Sequence, residues 1–146
     1  MRYLGLDVGD RHVGVALSDE TATLATGLPT LERRGPRKDV QMVVRLVREH
    51  QVAEVVVGLP KRLDGSIGPQ AEKVLAFMES LRGPAGVPIV PWDERFTTAA
   101  AERALIEGDV SRRHRKELVD KVSAVLILQG YLDARKQAAA SAEARG

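Results

Sequence analysis

Three acids far apart in the chain each stand where its character changes. Asp7 closes the apolar run Tyr3-Leu4-Gly5-Leu6, Glu94 follows Asp93 where the run Val87 to Trp92 gives out, and Asp120 heads the apolar stretch Val122 to Leu132. Sites in α/β sheets gather at the carboxyl ends of strands. Carboxylates brought together there repel one another unless one is protonated or a cation bridges them. There is no cysteine, and His12, His50 and His114 show no ligand spacing, so the metal chemistry on offer is that of hard oxygen donors, which favours Mg2+ or Mn2+. Asp93 and Glu94 compete for the middle position, because successive strand residues face opposite ways. Each acid also has a plainer reading. Asp7 can open an Asx turn toward Gly9, and the other acids can offset a helix dipole.

Basic residues supply a second kind of chemistry. The formal charge is only +2, yet Arg33, Arg34, Arg37 and Lys38 cluster, as do Lys61 with Arg62, and Arg112, Arg113, Arg115 and Lys116. Such clusters suit a polyanion, or they are solvated faces. Aromatic residues make up 3% of the chain, too few for a stacking platform, so a nucleic-acid partner would be held by backbone charge and shape. Asp64-Gly65-Ser66-Ile67-Gly68-Pro69-Gln70 opens a helix whose N–H groups suit a phosphate, but it lacks the Gly-Lys-Ser/Thr ending of a nucleotide loop. A turn is its simpler reading.

The elements that position these residues follow from periodicity. Tyr3 to Asp7 and His12 to Ser18 read as a hairpin, and Thr23 to Leu31 as a third strand of a meander. Val40, Val43, Val44 and Val47 recur at helical spacing within Arg37 to His50, and Val55-Val56-Val57 has the all-apolar pattern of a buried parallel strand. Pro69 opens a helix to about Leu81 that Gly83 to Gly86 stops. Val87 to Trp92 is the next strand, a helix from Thr98 to Glu107 follows with Thr97 or Thr98 as cap, and Lys116 to Lys136 is the longest helix. Small residues there, Ser123 and Ala124, let it approach the sheet, while Gly5 is expected to leave room beside Asp7.

This order predicts an α/β fold: a mixed five-stranded sheet, three antiparallel strands then two parallel, flanked by helices. With 146 residues, 44% hydrophobic and 29% charged, one domain over residues 1–137 is expected, with an unstructured Ala-rich tail at 138–146. No stretch has the length of a membrane span and no basic-then-apolar leader opens the chain, so a cytoplasmic protein is expected.

Four segments together resemble one family. They are Leu4-Gly5-Leu6-Asp7-Val8-Gly9 with Val13-Gly14-Val15-Ala16; Val57-Gly58-Leu59-Pro60 with Asp64-Gly65-Ser66 and Gly68-Pro69-Gln70; Asp93-Glu94-Arg95 with Thr97-Thr98; and Asp120 to Ala124 running into Ile127-Leu128-Gln129. The chain is similar to the YqgF/RuvX family of pre-16S ribosomal RNA nucleases, also described as Holliday junction resolvases. The resemblance implies an RNase H-like fold with Asp7, Glu94 and Asp120 as the catalytic and metal-binding acids. It implies phosphodiester hydrolysis with two divalent ions, one preparing water and one supporting the leaving oxygen. Where related resolvases carry a fourth acid, Lys121, Ser123 and Ala124 stand here, so substrate phosphate is expected to complete the second ion's shell.

Lys61, Arg62, Arg95, Arg112, Arg113, Arg115 and Lys116 are then the residues expected to hold the phosphate backbone of a ribosomal RNA precursor or branched DNA. The protein would act as monomer or homodimer. A non-catalytic RNA-binding role in ribosome maturation or transcription is the alternative that uses the basic clusters and leaves the acids structural. Leu6-Asp7-Val8-Gly9 also resembles the phosphate-binding hairpin of the actin and sugar-kinase superfamily, but those enzymes close two related domains over ATP. No second Asp-x-Gly hairpin follows here.

Overall fold

The first strand sets the architecture, because its alternate residues serve two layers. The structure, a computed structural model, describes residues 1–94 and 112–145, with side chains through Glu94 and again from Val122 to Glu143. β1 (Arg2–Val8) lies between β2 (His12–Ser18), antiparallel, and β4 (Val52–Leu59), parallel, in a sheet of order β3-β2-β1-β4-β5. β3 (Ala25–Glu32) forms one edge against β2, and β5 (Ile89–Asp93) forms the other, parallel to β4. The sheet has the expected strand number and directions.

Leu4, Leu6 and Val8 point into a core built with Val55, Val57 and Leu59 of β4 and with α1 (Pro36–Glu49) and α2 (Pro69–Ala85). Tyr3, Ala16 and Val56 point the other way, against Ala124, Ile127, Leu128 and Leu132 of α3 (Arg112–Arg145). Both faces of β1 and β4 are therefore covered, which is why β4 reads as a continuous apolar run. The second layer is anchored by side chains as well as by packing. Tyr131 Oη donates to Glu54 Oε1 at 2.7 Å, and the Gln129 amide both accepts from Ala25 N (2.9 Å) and donates to Thr23 O (2.8 Å).

Two helices run well beyond the bounds read from the sequence. α2 continues past Leu81 through Gly83 and Pro84 to Ala85, because Leu81 and Ala85 are both buried and the left-handed Gly86 (φ 69°) supplies the stop. α3 opens at Arg112 and runs to Arg145, so residues 138–145 are helical where an unstructured tail was expected. Alanines extending a helix that is already packed add favourable propensity without a new nucleation cost. The expected helix from Thr98 to Glu107, with its Thr97 or Thr98 cap, lies outside the described residues.

Candidate active site

Asp7 is the penultimate residue of β1, its Cα opposite Gly14. It shares a face with Tyr3 and Gly5, and that face is the one α3 covers. A methyl group built on Gly5 would sit 2.7 Å from Leu128 Cβ and 3.2 Å from the Ala124 carbonyl oxygen. The space at Gly5 is thus taken by α3, not left beside the acid as expected. Close approach of helix to strand is what this glycine permits.

The acid's room is provided by a different glycine. Gly58 of β4 pairs with Trp92 of β5, and a Cβ there would collide with the Glu94 carboxylate and with the tip of Ile127. Glu94 follows the last residue of β5, with its backbone N–H directed to Leu59 O at 3.3 Å, and its side chain lies across β4 in the gap that Gly58 leaves. β4 separates β5 from β1, so this path carries the carboxylate toward Asp7. Of the adjacent acids, Glu94 is the one that turns inward. The signal in the sequence was a glycine inside an apolar strand, Val55-Val56-Val57-Gly58-Leu59, a pattern that marks close approach of another group.

Glu94 is only 6% exposed, and among the described residues its Oε2 has no hydrogen-bond partner. Burial, then the charge of Asp7, then that of Asp93 push its carboxyl up to about 8. Ser123 is fully buried on α3 one turn before Ile127, and its Oγ likewise has no hydrogen-bond partner among the described residues. Two buried oxygens, one on Glu94 and one on Ser123 of α3, are therefore without hydrogen-bond partners among the described residues, and burial first, then neighbouring charge, favours the protonated form of the Glu94 carboxyl.

Asp120 stands in α3 one turn before Ala124, and its side chain lies outside the described ones. Among the described residues no set of three acids or histidines is grouped to hold a metal ion; the described part of the site is the pair Asp7 and Glu94. Lys61 and Arg62 open the loop after β4, where Arg62 N donates to Ser66 O (3.0 Å) and Asp64 Oδ1 accepts from Ser66 N (2.9 Å) and Oγ (2.6 Å). The Arg62 guanidinium lies over Gly68 at the start of α2, its Nε 2.8 Å from where a Cβ would be. Arg95 lies outside the described residues, as do the side chains of Arg112, Arg113, Arg115 and Lys116 in the first turns of α3. Arg33, in the first basic cluster, is a structural residue: it pairs with buried Asp39 at 3.0 Å, donates to Gly9 O at 2.9 Å and stacks over Phe77.

A sheet of this order with acids at the carboxyl ends of its parallel strands is the RNase H-like fold of the RuvC-type resolvases. The chain is similar to T. thermophilus RuvC in complex with a Holliday junction substrate, with a TM-score of 0.61 and 18% identity over 94% of this chain and 96% of that one. Its sequence narrows the class. The RuvX family, described as Holliday junction resolvase, matches residues 1–134, and this chain belongs to that family. A relative from Caldanaerobacter subterraneus subsp. tengcongensis is 53% identical over 137 residues, and one from Thermoanaerobacter pseudethanolicus is 50% identical over 137. Each alignment covers 93% of this chain and 99% of the relative, and both relatives bear the name pre-16S rRNA nuclease.

Proposed function

We propose that this chain is a metal-dependent endonuclease that hydrolyses phosphodiester bonds in structured nucleic acid, with the 5′ end of pre-16S rRNA as its substrate. The observation that carries the reading is Glu94: a carboxylate laid over Gly58, with an oxygen lacking a hydrogen-bond partner among the described residues and an acidity weakened first by burial and then by the charge of Asp7. A structural acid so placed would be neutralised by a basic partner. Glu94 has no such partner among the described residues and is poised to exchange its proton for a cation.

Asp7, Glu94 and Asp120 would hold Mg2+ or Mn2+, and the donor set fits: carboxylate oxygens, with no softer ligand among them. The approach of α3 supports a place for Asp120 in this set. Tyr3 meets Tyr131 edge to face (6.1 Å) while Gly5 meets Leu128 and Ala124, so the helix runs antiparallel to β1. Two residues further along the strand is Asp7, and one turn back along the helix is Asp120; both steps are about 6 Å. A bound divalent cation supplies positive charge for the leaving oxygen and lowers the pKa of water. The chain's own part is to fix the carboxylates: Gly58 admits Glu94, and α3 shields it from bulk water. Lys61 and Arg62 lie on the loop beside the carboxyl end of β4, and with Arg95, Arg112, Arg113, Arg115 and Lys116 they would hold the backbone.

The reading is tested by incubating the protein with labelled pre-16S rRNA, RNA duplex and four-way DNA junction, each with Mg2+, Mn2+ or chelator. Metal-dependent cleavage of the precursor is expected. Asp7→Asn, Glu94→Gln and Asp120→Asn are each expected to abolish it while binding persists; undiminished cleavage in all three would end the metal mechanism, and binding without cleavage by the wild type leaves the non-catalytic role. The family description favours a second reading on branched DNA, and symmetric junction cutting without precursor cleavage would select it. That outcome requires two active sites, and hence a dimer.

A further inference from the structure

A sizeable groove lies on the outer face of α1 and α2, on the side of the sheet away from Asp7 and Glu94. It encloses about 830 Å³, with Val40, Val44 and Pro84 in its apolar lining and Arg37, Arg45 and Arg48 around it. Five other arginines of the chain, Arg2, Arg33, Arg34, Arg82 and Arg135, each have a carboxylate within 4.0 Å. Arg37, Arg45 and Arg48 are exposed and have none among the described residues. Glu49 is the one acid in the lining, so the groove is net positive.

We infer that this groove docks an acidic amphipathic helix of a protein partner. An apolar floor with a charged border is how helices are received in grooves. Arg37 and Arg45 are eight residues apart on α1, about 12 Å along its axis, so carboxylates two turns apart on a docked helix meet both. The occupant's apolar stripe covers Val40 and Val44. Nucleic acid fits less well, because phosphates gain nothing from that floor and no aromatic ring lines it for a base. A second copy paired by two-fold symmetry would set the same arginine row against itself. The groove opens on the side of the sheet opposite Asp7 and α3, so partner and substrate bind together.

The test uses fluorescence anisotropy with a short labelled helical peptide carrying leucines at helical spacing and glutamates elsewhere, and a control with lysines for the glutamates. The wild-type chain binds the glutamate peptide, more weakly as salt rises, and not the lysine peptide. Arg45→Glu/Arg48→Glu, which changes only exposed side chains, and separately Val44→Asp, each lower the affinity at least about tenfold. Hydrogen exchange slows in residues 36–49 and 80–84 when peptide binds. Absent binding, equal binding of both peptides, or binding untouched by either variant overturns the inference. So does a loss of RNA affinity in Arg45→Glu/Arg48→Glu, which gives the face to nucleic acid, or a dimer that Val44→Asp dissociates, which gives it to a second copy.

Discussion

Two buried carboxylates, one on each side of the sheet, have opposite fates. Asp39, 2% exposed in the first turn of α1, accepts from Arg33 Nε (3.0 Å) and from Arg34 N (2.8 Å). Glu94, 6% exposed beyond β5, has no hydrogen-bond partner for Oε2 among the described residues and faces the charges of Asp7 and Asp93. The first is neutralised by a guanidinium and a backbone N–H, and it joins α1 to the β1–β2 loop through Arg33. Among the described residues the second has no such compensation. An acid whose partners are all present holds structure together; one buried among like charges is arranged for something that arrives later.

Substitution separates the two most sharply. Glu94→Gln, Asp7→Asn and Asp120→Asn each remove a proposed ligand, and if the cation contributes several kcal/mol at the transition state, cleavage falls by about 1,000-fold or more. Melting temperature holds or rises for Glu94→Gln. Asp39→Ala is expected to do the reverse, lowering stability by about 3 kcal/mol by stranding Arg33, while the rate per folded molecule stays within about twofold of wild type. Thermal melts beside single-turnover cleavage decide whether the contrast stands.

Acidity gives a finer separation. Glu94 is raised from 4.5 to about 8, so between those values the folded chain holds a proton that the unfolded chain has lost. Stability without divalent ion therefore falls as pH rises through that window, by about 1.4 kcal/mol per pH unit for one proton. The loss is greatest above the folded value, added Mn2+ reverses it, and Glu94→Gln flattens it. Denaturant titrations at about pH 6 and about pH 7.5, expected to differ by about 2 kcal/mol in the wild type, check both sign and size.

Gly58→Ala sharpens the comparison from the side of packing. The added methyl meets the Glu94 carboxylate and Ile127, and overpacking of this kind costs about 1–3 kcal/mol. Cleavage should fall as well, whereas the double variant with Glu94→Gln should lose no more activity than Glu94→Gln alone. The smallest effect is expected from Lys61→Glu/Arg62→Glu, which leaves the acids in place and weakens nucleic-acid binding. The salt slope should flatten by about one for each phosphate that the variant no longer neutralises.

The hairpin of β1 and β2, the buried strand β4 and the amphipathic α1 were legible because apolar period and turn residues agree locally. The two acids at the ends of β1 and β5 stood out for the same reason, since each closes an apolar run. The roles of the glycines were not legible. Gly5 and Gly58 stand in similar apolar strands, and only the placement of α3 decides that one admits a helix and the other a carboxylate. Nor could spacing choose between Asp93 and Glu94, because the answer depends on β5 ending at Asp93. Charge clusters were least informative: Arg33 is tied to Asp39 and Phe77 while Arg37, four residues on, borders an open groove, and that difference is tertiary.

Calorimetric titration of Mn2+ at about pH 7, run in buffers of different ionisation enthalpy, reports on the central claim directly. The wild-type chain should bind the ion and release close to one proton. Glu94→Gln should lose the proton release and most of the affinity, and Asp7→Asn and Asp120→Asn the affinity, while Asp39→Asn keeps both. Binding of equal strength in the wild type and all three site variants, or none in the wild type, would contradict it.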